Sequence, residues 1–115
     1  MSDAFHADCP ARAVLDHVTS RWAVLVLTAM VDGPLRFYEL RDKVEKVSEK
    51  MLSQTLRTLM QDGFVAREVA PTSPPAVSYA LTPLGVGITE PLRALTDWIR
   101  DHADAIFDAR ASSSG

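Results

Sequence analysis

The sequence has a single cysteine, Cys9, so it cannot build an internal disulfide framework. This scarcity is typical of proteins in a reducing compartment, and we expect a cytoplasmic protein. The first residues also lack the basic and apolar segments of a secretory signal peptide. The longest apolar run, residues 22–31, is too short to cross a bilayer, so we expect no membrane partner.

Patterns that would bind a metal or support catalysis are also missing. The histidines His6, His17 and His102 have no metal-ligand spacing, and no Cys-x-x-Cys or His-x-x-x-His pattern occurs. Asp97, Asp101 and His102 could form a metal-responsive group, although acidic residues on an exposed helix are the commoner explanation. No nucleophile–base pair or glycine-rich phosphate loop is present. We therefore expect no metal, no cofactor and no enzymatic activity.

Length and charge indicate one small domain with an uneven charge distribution. The 115 residues suffice for one hydrophobic core but not two, so we predict a single domain over residues 1–115. The net charge of −3 argues against a general nucleic-acid binder. Residues 36–67 nevertheless carry seven basic against five acidic side chains, whereas both flanking parts are net acidic. A local basic face on an acidic body fits a specific DNA binder.

The most informative stretch, residues 48–63, predicts an amphipathic helix. Ser48 is a favourable N-cap, and Gly63 suits the left-handed residue that ends a helix. One side of this helix is apolar, and the other carries hydrogen-bonding side chains: Lys50, Ser53, Gln54, Arg57 and Gln61. A helix with hydrogen-bonding side chains along one side suits the DNA major groove. For this segment taken alone, an ordinary amphipathic surface helix is the alternative.

Three helices and a short strand are predicted before this segment. Residues 1–7 lack periodicity and should form a loose arm. A helix then begins near Pro10 and has an apolar face made of Ala11, Val14, Leu15 and Val18. Residues 22–31 are apolar almost all round and predict a buried helix. A very short strand at residues 35–36 leads into a third helix over residues 37–44.

A hairpin and a long terminal helix should follow. Strand-like runs at residues 64–69 and 76–81 flank a proline-rich connector, which indicates a two-stranded hairpin. Thr82 and Pro83 can begin a long helix that Pro91 is expected to kink or split. Apolar residues at helical spacing suit this helix for pairing with another: Ile88, Leu92, Leu95, Ile99 and Ile106. Residues 111–115 should form a flexible tail.

The order of these elements defines the predicted fold class. A short helix, a turn, a polar-faced helix and a two-stranded ribbon form a winged helix-turn-helix. We therefore predict a mainly α protein with a small β-hairpin wing, whose terminal helices form a dimer interface.

Short motifs within these elements are similar to those of a known family. They are Cys9-Pro10, Arg21-Trp22, Gly33-Pro34-Leu35-Arg36-Phe37, the Ser-x-Lys-Met-Leu-x-Gln-x-Leu-Arg-x-Leu pattern over 48–59, Asp62-Gly63-Phe64-Val65 and Tyr79-x-Leu81-Thr82-Pro83-Leu84-Gly85. Jointly they resemble the HxlR family of bacterial winged helix-turn-helix transcription regulators, which are MarR-like. The resemblance implies a homodimer that binds double-stranded DNA at a near-palindromic operator. It also implies an oxidant or a small molecule as a possible effector, because some members sense electrophiles or oxidants through the cysteine matching Cys9.

The predicted DNA contacts come from the polar-faced helix, from the residue before the third helix and from the wing. They are Arg36, Ser48, Lys50, Ser53, Gln54, Arg57, Thr72 and Ser73. Ala76 and Ser78 occupy wing positions where the family often has an arginine and an acidic residue. Since no basic residue lies between Val69 and Tyr79, we expect a weak contact between the wing and phosphate.

Two further predictions concern Cys9 and the dimer interface. Cys9 is either a redox-sensing residue activated by a helix N-terminus or a small packed apolar residue. The terminal helices expose more apolar surface than a small monomer usually does, which predicts an interface formed by Val14, Leu15, Val18, Leu92, Leu95, Trp98, Ile99 and Ile106. A winged-helix module that binds protein instead of DNA remains the alternative function. The acidic net charge favours that alternative, and the polar face of helix 48–62 opposes it.

Overall fold

The structure, a computed structural model, describes residues 6–114. These residues form α1 (Pro10–Val18), α2 (Arg21–Ala29), α3 (Phe37–Lys43), α4 (Glu49–Gln61), β1 (Val65–Ala70), β2 (Ala76–Leu81), α5 (Pro83–Asp101) and α6 (Ala103–Ser114). The predicted fold class, mainly α with a β-hairpin wing, is confirmed.

The helices begin and end where local signals in the sequence place them. Ser20, Ser48 and Thr82 each accept a hydrogen bond on the side-chain oxygen from the backbone N–H three residues later, at 3.3, 3.1 and 3.1 Å. These oxygens satisfy N–H groups that lack a partner within the helix. Gly63 follows α4 with a φ of 84°, the left-handed conformation predicted for it.

The hydrophobic core lies around α2, which packs against α1, α3, α4 and α5. Its most buried side chains are Val26, Leu27, Met30, Leu40, Leu52, Leu56 and Leu59. The prediction that α2 is central is confirmed, but its burial is incomplete. Leu25 is 43% exposed because the four packing helices leave one strip of α2 uncovered.

The wing is an antiparallel hairpin that is tied to the start of α3. Its register runs from Val65 opposite Leu81 to Ala70 opposite Ala76. The backbone of Leu35 pairs with Tyr79 through two hydrogen bonds of 2.9 and 2.8 Å. This bridge is the short strand predicted at residues 35–36, and it fixes the wing relative to the helix-turn-helix.

The sequence predicts a kink or a split at Pro91, and the split does not occur. The helix α5 continues through Pro91, and packing holds it there because Thr89 and Leu92 on either side are buried. The chain leaves the helix at His102 instead. The His102 ring stacks on Trp98 with ring centroids 4.0 Å apart, and its backbone N–H donates to the Trp98 carbonyl oxygen at 3.1 Å.

The predicted flexible segments at the two ends also need correction. Residues 111–114 belong to α6, so the predicted tail is helical there, and residue 115 lies outside the described residues. Of the predicted loose arm, residues 1–5 lie outside the described residues. Residues 6–8 form a turn closed by a 3.1 Å hydrogen bond from the Cys9 N–H to the His6 carbonyl oxygen.

Gly85 and Gly87 in α5 differ in the space available for a side chain. A Cβ built on Gly85 lies 2.1 Å from the Phe64 carbonyl oxygen. One built on Gly87 has no described heavy atom within 4 Å apart from its chain neighbours and the nearby backbone of its own helix. We expect Gly85→Ala to lower the free energy of unfolding by about 3 kcal/mol, because the backbone after α4 must move. Gly87→Ala should raise it by about 0.5–1 kcal/mol. Chemical denaturation measures both, and equal changes would contradict this packing.

Candidate nucleic-acid interface

The helix α4 is held by its apolar side, which determines the direction of its polar side. Leu52, Leu56 and Leu59 are at most 1% exposed and face the core. These residues recur at four- and three-residue spacing, so the hydrogen-bonding side chains between them point away from the core. The fold therefore presents this polar side to solvent on a fixed helix.

The polar side of α4 forms one continuous surface. Lys50, Ser53, Gln54 and Arg57 are exposed and together line a shallow depression of about 220 Å³, which we call the reading face. Among the described residues, neither Lys50 nor Arg57 has an ion-pair partner. Both cations are therefore available to a phosphate or a guanine edge, and the two shorter side chains between them can hydrogen-bond to bases or phosphates.

The other four predicted contacts lie outside the reading face. Arg36 is exposed just before α3, and its backbone N–H donates to Glu39 Oε1 at 2.8 Å. The Ser48 oxygen is occupied as the N-cap of α4. Thr72 and Ser73 are exposed in the wing connector, where the Thr72 hydroxyl already donates to the Pro74 carbonyl oxygen at 2.8 Å. The wing tip therefore offers few free donors to DNA.

Two side-chain contacts that were not predicted hold α4 at its two ends. Arg41 Nη1 donates to Glu49 Oε1 at 2.6 Å and joins α3 to the start of α4. His17 Nδ1 lies 2.7 Å from Asp62 Oδ2, joining the end of α1 to the residue after α4. Because the partners are eight and 45 residues apart, no local spacing signals either pair. Both pairs help set the orientation of the reading face.

An apolar surface remains exposed on the terminal helices. Leu95, Trp98 and Ile99 lie at helical spacing along α5 and are 51%, 55% and 46% exposed, and Leu15 on α1 is 48% exposed. The far half of α5 extends beyond the core, consistent with principal dimensions of 60 × 36 × 24 Å. The described part of the chain therefore leaves this half of the helix uncovered.

The predicted interface residues differ in how far their own chain covers them. Val18 and Leu92 are buried in the core of their own chain, because α1 and the first half of α5 pack on α2. Val14 is partly buried against the same core. Ile106 lies on α6, beyond the break at His102, so it does not continue the α5 row in a straight helix.

Cys9 is buried and lies at the N-cap position of α1, with 7% of its surface exposed. Its carbonyl oxygen accepts a hydrogen bond from the Arg12 N–H at 3.0 Å, and its side chain makes no capping hydrogen bond. Burial is typical of a packed cysteine, whereas reactive cysteines are usually partly exposed. The small exposed fraction limits the access of an oxidant to the thiol.

The residues that the structure describes show no metal cluster. No three His, Cys, Asp or Glu side chains in this part of the chain are placed to hold a metal ion. Asp97, which the sequence analysis weighed as a metal ligand, instead pairs with Arg100. Among the described helices, none has the length and apolar character needed to cross a membrane.

Comparison with known proteins gives a consistent result. A model of the HxlR-like helix-turn-helix family matches residues 17–107. The uncharacterised HTH-type transcriptional regulator YtfH of Escherichia coli (strain K12) is 55% identical over 106 residues, covering 92% of this chain and 84% of that protein. The solved structure of the ytfH protein from Salmonella typhimurium has a TM-score of 0.89 at 48% identity, covering 96% and 99% of the two chains. The redox regulator HypR in its reduced form has a TM-score of 0.78 at 31% identity, covering 87% and 99%.

Proposed function

The chain belongs to the HxlR-like helix-turn-helix family and is an HTH-type transcriptional regulator, and from this premise we propose that it binds a near-palindromic operator as a homodimer. The reading face of α4 carries this proposal. Two cationic side chains at its ends and two hydrogen-bonding side chains between them match the phosphates and base edges of a major groove. The acidic remainder of the chain would weaken binding to DNA that lacks the operator sequence.

The homodimer rests on the exposed apolar surface of the terminal helices. A second copy that pairs across a two-fold axis would cover Leu95, Trp98 and Ile99 with equivalent residues and with Leu15. The same symmetry would place two α4 helices about 34 Å apart, one turn of B-DNA. Such a dimer requires two half-sites in inverted orientation.

Selection of bound sequences from a random DNA pool tests the proposal directly. We expect enrichment of one sequence with inverted half-sites whose centres are about one helical turn apart. Absence of any enriched sequence would contradict operator binding, and a single enriched half-site would contradict the dimer.

The net charge favours one alternative, a winged-helix module that binds protein. Titration with random duplex DNA at two salt concentrations separates the two functions. Because counterions are released from DNA, a DNA binder loses affinity steeply as salt rises. A protein-binding module would show little affinity at either salt concentration.

We also propose that an oxidant acts on the regulator through Cys9. The similarity to the redox regulator HypR and the position of Cys9 beside the N-terminus of α1 support this role. Since this chain has no second cysteine, a disulfide would have to join two chains or link Cys9 to a small thiol.

Hydrogen peroxide should abolish operator binding by the wild-type protein, and a thiol reductant should restore it. Modification of Cys9 would place a larger group in a buried site and displace the start of α1. The Cys9→Ser variant should bind DNA equally well before and after peroxide. Band-shift titrations measure the effect, and mass spectrometry identifies the adduct. An equal loss of binding in Cys9→Ser would show that Cys9 is not the sensor.

A further inference from the structure

The helix α1 is attached to the rest of its chain through few side chains. Of its nine residues, all of them described, only Val14, His17 and Val18 are wholly or partly buried, and the others are exposed. The same helix carries the exposed Leu15 of the proposed dimer interface. The orientation of α1 relative to α4 therefore relates the two-fold axis of the proposed dimer to the reading face.

His17 forms the polar part of this attachment. Its Nδ1 lies 2.7 Å from Asp62 Oδ2, and the Asp62 side chain is only 14% exposed. Because an ionised carboxylate can only accept, the His17 ring carries a proton on Nδ1 and donates it. The apolar contacts of Val14 and Val18 are non-directional, whereas a hydrogen bond weakens steeply when its angle changes. The His17–Asp62 contact therefore restricts rotation of α1 against α4.

A cleft of about 240 Å³ separates the α1–α2 corner from α4 beside this contact. Its lining includes Gln54, which also belongs to the reading face, so the cleft adjoins that surface. His17 is another lining residue, and its contact with Asp62 lies at the margin of the cleft. Since the walls of a cleft do not interdigitate, packing contributes little to the angle between α1 and α4 here.

Asp62 occupies a position that by itself disfavours a carboxylate. It is the C-cap of α4, where unpaired carbonyl groups give the helix end a partial negative charge. An acid at this place destabilises α4 unless a donor faces it, and His17 supplies that donor from α1. The unfavourable charge in α4 is thus offset through the contact with α1.

We infer that His17 and Asp62 are positioning residues that set the distance between the two reading faces of the dimer, and hence the half-site spacing of the operator. This inference rests on the proposed dimer and its operator. Loss of the contact should let α1 rotate against α4, so that the dimer accepts more than one spacing. A contact that only stabilised the fold would change the affinity for all spacings alike.

Three operators test the inference: the selected sequence, and versions with one base pair inserted or removed between the half-sites. Each change moves one half-site by about 3.4 Å and rotates it by about 35° relative to the other. The wild-type protein should bind the altered operators about tenfold more weakly, the effect of losing a base contact. His17→Ala and Asp62→Ala should each lower this preference to about twofold, because one hydrogen bond is worth about fivefold. The double variant should match the single ones, since all three lack the same contact.

Two further variants serve as controls. Asp62→Asn keeps an oxygen that can accept from His17 Nδ1, and it should retain the wild-type preference. Arg41→Ala breaks the contact with Glu49 that joins α3 to α4 and leaves α1 untouched. Any loss of affinity in Arg41→Ala should therefore be equal for the three operators. Band-shift titrations measure these ratios, and comparison within one variant cancels the effect of altered stability.

A wild-type spacing preference that persists in His17→Ala and Asp62→Ala would overturn the inference and leave the proposed function intact. Equal relaxation in Asp62→Asn or in Arg41→Ala would also overturn it, because the cause would then not be the hydrogen bond between α1 and α4. A wild-type chain that binds no operator, or binds all three equally, would contradict the proposed dimer itself. In that case the His17–Asp62 contact would have no spacing to set.

Discussion

An Ile99→Glu variant should lose dimerisation and operator binding together. Ile99 and Leu95 lie on the same side of α5 and are about half exposed in the single chain, so a partner would bury them. In the dimer, a carboxylate at this position would be removed from water and would have no oppositely charged partner, which costs several kcal/mol. A monomer would engage only one half-site, and the apparent affinity for the operator should fall by about 10²–10⁴-fold.

Sedimentation and band-shift titration on the same samples measure this loss. Arg93→Glu is a suitable control, because it changes the charge of an exposed residue on the opposite side of α5 and should leave both properties intact. The Ile99→Glu chain should also unfold at a lower temperature, since association stabilises the folded state. A wild-type chain that is monomeric at micromolar concentration and still binds the operator would refute the proposed dimer.

Removing the two cations of the reading face should have the next largest effect. Arg57→Ala and Lys50→Ala should each weaken DNA binding by about 1–3 kcal/mol, or about 5- to 150-fold. The two residues are separated by roughly 10 Å along α4, so their effects should be nearly additive in the double variant. Because both side chains are exposed, thermal stability should change little.

The salt dependence of each variant distinguishes the two kinds of contact. Loss of a phosphate contact should weaken all sequences alike and reduce the slope of log affinity against log salt by about one. Loss of a base contact should relax specificity at one position of the operator. Arg93→Ala, which removes an exposed cation from α5, is the matched control. Unchanged affinity in both α4 variants, with stability retained, would exclude α4 as the reading helix.

The sequence by itself determined the elements that depend on short-range interactions. The caps at Ser48 and Thr82 and the left-handed Gly63 involve atoms within one turn of the helix, so the residue types are sufficient to predict them. The spacing of leucines along α4 likewise determined which side would be packed. Since the reading face is the opposite side of that same helix, its four residues were also predictable.

The tertiary structure alone decided which apolar residues of the terminal helices are covered. Leu92, Leu95 and Ile99 recur at the same helical spacing, yet Leu92 is buried and the other two are exposed. Periodicity shows which side of a helix is apolar. Whether a residue on that side is buried depends on how far the rest of the domain extends along the helix. The break at His102, the His17–Asp62 pair and the sharing of Gln54 between two concave surfaces likewise depend on packing between distant parts of the chain. Local sequence patterns carry no information about such distances, because the fold must first bring these segments together.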